Sequence, residues 1–310
     1  MRADPANLEL SVPETSVSSQ GASSRSADPA GRVSDFVALM KPRLSAEVLF
    51  TAAGAMWLAH GSLPWQSWVL TLFGVAGTVG AANSINCVLE RKSDAFMART
   101  ADRPLPRRRV STRAAVLFAS ALTLISLPMI FLGSNLLTAA LGLTALISYA
   151  FIYTPMKSRT HWAMYVGAIP GALPPLMGWT AVKGSVDAVG LSLFAILFVW
   201  QLPHFIAIAT FRKNEYLAAG LTSLPIERGE NASKWEALAW TVLLVPVSLL
   251  PVWLQVAGTV YVIAALVLGG WLLVTTVQRW KSEAAPFWGK RVFRASLVYL
   301  TLLFIALAAS

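Results

Sequence analysis

Long apolar stretches recur along this chain, and the linkers between them alternate between nearly uncharged and strongly basic. A helix needs roughly 20 mostly apolar residues to cross a hydrocarbon core about 30 Å thick, and within lipid its backbone polar groups must be satisfied internally. Nine stretches meet that requirement, at about 44–60, 66–87, 112–132, 135–154, 162–182, 188–210, 236–255, 258–277 and 292–309. The pattern predicts an all-α, polytopic membrane protein with nine transmembrane helices. Composition points the same way, because 56% apolar and only 13% charged residues give too little polar surface to cover a soluble globule of 310 residues. One cysteine, Cys87, excludes an internal disulfide and a zinc cluster.

The net charge of +10 gains meaning from its placement. Of the 25 Lys and Arg residues, 24 fall in the N-terminal tail or in the linkers after spans 2, 4, 6 and 8; Lys183 alone lies on the other side. Basic residues gathered on span flanks are the mark of a cytoplasmic face, so membrane lipid is the expected surrounding and nucleic acid is not an expected partner. The rule predicts a cytoplasmic N-terminus and, with nine spans, an external C-terminus. Residues 1–33 are rich in Ser, Ala, Pro and Gly, carry scattered acids and hold no apolar run, which reads as a disordered cytoplasmic tail before a single transmembrane domain over 34–310. The tail has no apolar signal region, and its acids disfavour a transit peptide. A bacterial inner membrane is therefore the expected location, with the mitochondrial inner membrane as the alternative.

The chemistry concentrates on the basic side. Span 2 ends in Asn83-Ser-Ile-Asn86-Cys-Val-Leu-Glu90-Arg-Lys-Ser-Asp94, and at about 100° per residue Asn83, Asn86, Glu90 and Asp94 share an arc of about 80° on one helical face, with Lys92 opposite. Oxygen ligands of this kind, used together with substrate phosphates, suit Mg²⁺. Any one of these residues alone would read as a helix-packing amide or a solvated carboxylate; four on one face at the polar end of a span read as a site. Downstream, Arg99 and Arg103 present planar guanidinium forks suited to diphosphate, whereas Arg107 to Arg109 suit topology anchoring. The linkers after spans 4 and 6 supply Lys157 and Arg159, then Arg212, Lys213 and Glu215, on the same side. Inside span 6, Gln201 and His204 flank Pro203 roughly 10 Å deep; such a histidine can ligate a metal, move a proton or simply bond a neighbouring helix. Span 5 carries Gly167, Gly171, Gly178, Pro170, Pro174 and Pro175, whose default reading is close packing. Glu47 in span 1 has no evident role.

Together these residues resemble the protoheme IX farnesyltransferases (heme O synthases) of the UbiA-type intramembrane prenyltransferase superfamily, over about residues 36–309. The resemblance is carried by Lys41-Pro42-Arg43 and by Asn83-x-x-Asn86-x-x-x-Glu90-x-x-x-Asp94 with Met97-x-Arg99-Thr100-x-x-Arg103-Pro104-Leu105. Tyr153-Thr154-Pro155, Gly167-Ala168-x-x-Gly171-Ala172-x-Pro174-Pro175-x-x-Gly178-Trp179, Trp200-Gln201-x-Pro203-His204-Phe205 and Glu215-Tyr216-x-x-Ala219-Gly220 extend it. It implies a UbiA-type bundle that moves farnesyl from farnesyl diphosphate to a vinyl group of heme b, with addition of water, giving heme O and diphosphate. It implies Mg²⁺ bound with the diphosphate by Asn83, Asn86, Glu90, Asp94 and Glu215, and phosphate oxygens held by Arg99, Arg103, Lys157, Arg212 and Lys213. Asn86, Glu90, Asp94 and His204 are implied to be catalytic, with His204 facing heme b as iron ligand or proton carrier. Hand-over of heme O to heme A synthase or a terminal oxidase would follow. The chain departs from the family in having Glu90 where Asp is common, Lys92 and Asn214 where an acid is common, and Ser158 splitting a Lys-Arg pair. Competing readings are a UbiA-type enzyme with another aromatic or tetrapyrrole acceptor, favoured less by the Trp200 to Phe205 stretch, and a membrane transporter, which fits poorly with polar clusters gathered at one membrane face.

Overall fold

The computed structural model describes residues 31–278, 280–281 and 284–309. The tail expected over 1–33 lies almost wholly outside them, and Val33 already begins a helix. Among the described residues the architecture is all-α. In chain order the helices are α1 (Val33–Leu39), α2 (Pro42–Leu58), α3 (Trp65–Asp94), α4 (Thr112–Gly133) and α5 (Leu136–Ile147). A π-helical turn (Ser148–Tyr153) joins α5 to the short α6 (Thr154–Met156), followed by α7 (Ala163–Lys183), α8 (Ala188–Phe211), α9 (Lys213–Ala218) and α10 (Leu224–Glu227). The chain ends through α11 (Gly229–Ser248), α12 (Leu250–Trp253), α13 (Thr259–Val277) and α14 (Ala285–Ala308).

Nine long segments among the described residues correspond to the nine expected spans, and seven are both long and apolar enough to cross a membrane by themselves. The other two are α2, at 17 residues, and α7, whose apolar character is diluted by Pro170, Pro174 and Pro175 and by its glycines. Several helices outrun their apolar stretches. α3 continues through the charged turn to Asp94, while α11 and α14 start about seven residues before the expected spans, carrying Glu230, Lys234, Lys290 and Arg291 into the helix. A helix need not stop where the hydrocarbon does, since charged residues with good helix propensity continue it into the headgroup layer.

The segments pack in chain order, α2 on α3, α3 on α4, α4 on α5, α5 on α7, α7 on α8, α8 on α11, α11 on α13 and α13 on α14, and α14 returns to α2. Crosslinks between α2 and α7 and between α8 and α14 tighten the ring. α8 is central and α4 peripheral, with 67% against 22% of their apolar windows buried. α4 turns Leu117, Leu124, Ile125 and Leu132 outward, as a lipid-facing helix does. The largest core cluster joins the C-terminal ends of α2, α7 and α14 to the N-terminal half of α8, through Leu58, Trp179, Leu193, Ile196, Phe304 and Leu307. That end of the bundle is filled, so the space left for a ligand lies toward the other end, where Asp94 and Phe211 terminate α3 and α8.

Candidate active site

The hollow end holds a cavity of about 560 Å³. Its mouth is charged and its body apolar. At the mouth stand Glu90, Asp94, Arg99, Arg103, Lys157 and Arg212, together with Lys41; deeper, the wall is made by Val48, Val79, Met177, Trp200, Leu297 and their neighbours.

The carboxylates come from the last turns of α3. Asp94 is 1% exposed; its Oδ2 accepts from Arg103 Nη1 at 2.7 Å, while its Oδ1 is buried without a hydrogen-bond partner. Glu90, one turn earlier, accepts from Lys157 Nζ at 2.8 Å. Burial by itself would lower the Lys157 pKa, but the attraction of Glu90 outweighs it and holds the ammonium well above the usual lysine value. Asn83 lies on the cavity wall, its Nδ2 donating to the Met40 carbonyl at 3.1 Å. Asn86 is fully buried and off the wall, accepting from Lys41 Nζ and donating to Thr154 Oγ1 at 3.1 Å.

Arg99 and Arg103 sit on the segment 95–111 between α3 and α4, which is held by packing as well as by hydrogen bonds. Leu105 and Val110 bury against Leu39, Cys87, Val88 and Ala115, and Thr100, with no exposed surface, donates from Oγ1 to the Asp94 carbonyl at 2.8 Å. The linkers after α6 and α9 are tied to each other: Thr222 N donates to the Lys157 carbonyl at 2.9 Å, and Glu227 accepts from His161 N at 2.8 Å and from Thr222 Oγ1 at 2.6 Å. The His161 ring closes on the same carboxylate. Thr222 and His161 hold the Glu227 carboxyl below the usual glutamate range. Arg212 reaches the mouth, but Glu215 and Lys213 do not. Arg212 Nη1 donates to both Glu215 oxygens at 2.8 and 2.9 Å, and Lys213 pairs with Glu230 at 3.2 Å.

Two wall features escape a reading by helical phase. Lys41 caps α2 with left-handed backbone angles, φ 53° and ψ 61°, and so turns its side chain onto Asn86. Burial pushes its pKa below the usual lysine value. Its presence in Lys-Pro-Arg is legible, its left-handed turn is not. The π turn is the second. Pro155 has no N–H to offer the preceding turn, and the Thr154 N–H and hydroxyl both go to the Tyr149 carbonyl, the latter at 2.8 Å. The widened turn brings Tyr149 and Tyr153 onto the cavity wall with ring centroids 5.3 Å apart. Such single π turns recur at functional sites.

In the apolar body, His204 is 7% exposed and lines the cavity, stacked on Trp200 with ring centroids 4.7 Å apart. Gln201, one turn earlier, donates to the Ala168 and Leu197 carbonyls at 3.2 and 3.0 Å. Glu47, which the sequence left without a role, lines the same cavity from α2.

No group of three or more His, Cys, Asp or Glu side chains that could hold a metal occurs among the described residues, so those residues alone offer no cage for an ion. The two α3 carboxylates, with one buried oxygen unpartnered, instead fit a hard cation that completes its shell with a ligand's phosphates.

Comparison with known proteins identifies the family and the fold. A model of the UbiA prenyltransferase family matches residues 48–307. Protoheme IX farnesyltransferase of Myxococcus xanthus (strain DK1622) is 54% identical over 275 residues, spanning 89% of this chain and 94% of that one. The enzyme of the same name from Anaeromyxobacter dehalogenans (strain 2CP-C) is 48% identical, spanning 91% and 95%. Among solved structures, a digeranylgeranylglyceryl phosphate synthase is similar in fold with a TM-score of 0.75 at 17% identity, over 89% of this chain and 97% of that one. A UbiA homolog from Archaeoglobus fulgidus bound to GPP and Mg²⁺ is also similar in fold, with a TM-score of 0.59 at 18% identity, over 89% of this chain and 100% of that one. By the family match along most of its length, the identity to these relatives and the shared fold, the chain belongs to the UbiA prenyltransferase family.

Proposed function

We propose that this chain transfers the farnesyl group of farnesyl diphosphate to a vinyl group of heme b, with addition of water, giving heme O and diphosphate. The observation that carries the reading is the division of one cavity into a charged mouth, with Glu90 and Asp94 beside Arg103 and Lys157, and an apolar body walled by Trp200, Phe205, Phe293 and Leu297. A prenyl diphosphate has the same division, and the heme specificity rests on the names of the relatives.

In this reading Asn83, Glu90 and Asp94 hold Mg²⁺, which when bound supplies positive charge to the leaving diphosphate. Asn86 keeps Lys41 directed at the mouth, and Glu215 supports Arg212. Arg99, Arg103, Lys157 and Arg212 bind diphosphate oxygens and are already in position, so little reorganisation is needed as charge develops on the departing group. Arg103 and Lys157 exchange their carboxylate partners for phosphate when substrate enters. The apolar body excludes bulk water from the allylic cation until the vinyl carbon meets it, and His204 faces the heme. Lys213, bonded to Glu230 away from the wall, contributes long-range charge. We place the mouth on the cytoplasmic face of a bacterial inner membrane, because 24 of the 25 Lys and Arg residues share its side. Residues 34–310 act as one domain, and heme O passes from it to an enzyme or oxidase that consumes it.

The test is to incubate purified protein with heme b, labelled farnesyl diphosphate and Mg²⁺ and to weigh the pigment. A heme gaining one farnesyl and one hydroxyl group is expected. Unchanged heme, with another acceptor carrying the label, would overturn the heme assignment and leave the transferase class standing.

A further inference from the structure

The farnesyl-transfer reading leaves one proton without a destination, and the buried contact between α8 and α14 offers one. Ser296 on α14 has no exposed surface. Its Oγ donates to the Phe293 carbonyl at 2.8 Å and lies 2.8 Å from His204 Nδ1. A serine hydroxyl has a single proton and two lone pairs. Donation to Phe293 leaves the oxygen's lone pairs for His204 Nδ1, the pairing that fits a hydrogen on Nδ1 and a lone pair on Nε2. The ring is clamped in that pose. Trp200 stacks on it and donates from Nε1 to the Ser296 carbonyl at 2.7 Å, and the Phe293 ring stands 4.9 Å from it. Among the described residues Nε2 has no hydrogen-bond partner, and His204 lines the cavity.

Resting on the farnesyl-transfer reading, we propose that Ser296 is a positioning residue that holds His204 as the Nδ1–H tautomer, and that Nε2 accepts the proton of the water added to the heme substituent. The vinyl π pair forms the bond to farnesyl C1, and the C1–O bond breaks with its pair leaving on diphosphate. A water oxygen then bonds the resulting side-chain cation, one O–H bond breaks with its electrons staying on oxygen, and the proton goes to Nε2. The imidazolium later releases it to solvent through the mouth. The sum is heme b, farnesyl diphosphate and water giving heme O, diphosphate and a proton. Glu90 and Asp94 are poor alternatives because in the same reading they hold Mg²⁺ beside the diphosphate at the mouth, and Glu47 is exposed on α2.

If Nε2 cannot accept the proton, the cation loses one from carbon instead, and the product is a farnesylated heme lighter by one water. The experiment compares the wild type with Ser296→Ala, Ser296→Thr and Glu47→Gln by product mass. Ser296→Ala is expected to retain farnesylation while the ratio of hydrated to dehydrated product falls by about tenfold, less than the roughly 100-fold or more of a lost general base because the imidazole itself remains. Ser296→Thr should restore the ratio, and Glu47→Gln should leave it unchanged. Nitrogen NMR of histidine-labelled protein, with its 3 histidines assigned using His204→Gln, should show Nδ1 protonated at His204 in the wild type. That readout stands even if Ser296→Ala does not fold. An unchanged ratio in active Ser296→Ala, a changed one in Glu47→Gln, Nε2 protonated in the wild type, or a heme spectrum showing His204 bound to iron would each overturn the proposal. A wild type that never farnesylates heme would instead overturn the reading on which it rests.

Discussion

At the scale of single residues, the mouth is a set of ion pairs whose partners a ligand must exchange. The Lys157–Glu90 pair at 2.8 Å has side chains 27% and 11% exposed, so it is only partly screened by water. Removing the cation by Lys157→Ala strands Glu90, and we expect a stability loss of about 2 kcal/mol; adding Glu90→Gln should return much of it. Activity should nonetheless fall by at least about 100-fold in either single variant, since a group aimed at developing charge is lost. Thermal unfolding in detergent and turnover measured on the same samples would separate the two effects. A second residue-scale prediction concerns Glu227. Its carboxyl is held low by Thr222 and His161, so its contribution to folding is full above the ordinary glutamate range and is lost as pH falls through its depressed pKa. Unfolding curves of Glu227→Gln should lose less stability over that window than those of the wild type, the difference being the share carried by Glu227. The sequence made Glu90, Asp94, Arg99, Arg103 and Lys157 legible because side-chain chemistry and helical phase are local properties. Lys41 was not legible as part of the site, because its aim depends on a left-handed backbone residue that helical phase does not encode. Asn86 shared the right face by phase, yet neighbours from two other elements enclose it.

Among the elements, α7 shows why glycine and proline in a span are different instructions. A methyl group at Gly178 would stand 2.1 Å from the Ala52 carbonyl oxygen of α2, and one at Gly171 would stand 2.0 Å from Gln201 Oε1. The first obstacle is backbone, which can yield only by opening the α2–α7 contact. Gly178→Ala should therefore cost about 2–3 kcal/mol, the upper part of the range for overpacking. Gly270, in the middle of α13, has nothing within 4 Å of a built Cβ, and Gly270→Ala should be neutral or stabilise by about 0.5–1 kcal/mol through helix propensity. Melting temperatures of the two variants in one detergent would check the contrast. The sequence supported the packing reading of these glycines, but composition could not tell which neighbour each one admits. It also missed the π turn, since Thr154-Pro155 is compatible with an ordinary helix end until the Tyr149 carbonyl is seen receiving both Thr154 donors.

For the whole molecule, the sequence reading of the fold follows from lipid itself: long apolar runs become helices, and linker charge orders their ends. The cavity was less legible because it arises from the unequal filling of the ring, with the large core cluster at one end and charged helix termini at the other. If charge asymmetry sets the orientation, the two ends should differ in access from opposite sides of the membrane. The only cysteine, Cys87, is buried, so single cysteines can be introduced as reporters without background from an exposed thiol. Arg108→Cys lies on the exposed segment after α3, and Ser185→Cys on the exposed turn after α7. In intact cells an impermeant thiol reagent should label Ser185→Cys and spare Arg108→Cys, and in inverted membrane vesicles the pattern should reverse. Labelling of Arg108→Cys from outside would put the mouth on the wrong face for the proposed orientation. Because the 24 basic residues are spread over the tail and four linkers, no single one should control the outcome. Neutralising Arg107, Arg108 and Arg109 together should leave the labelling pattern intact, since the remaining linkers and tail still carry the bias.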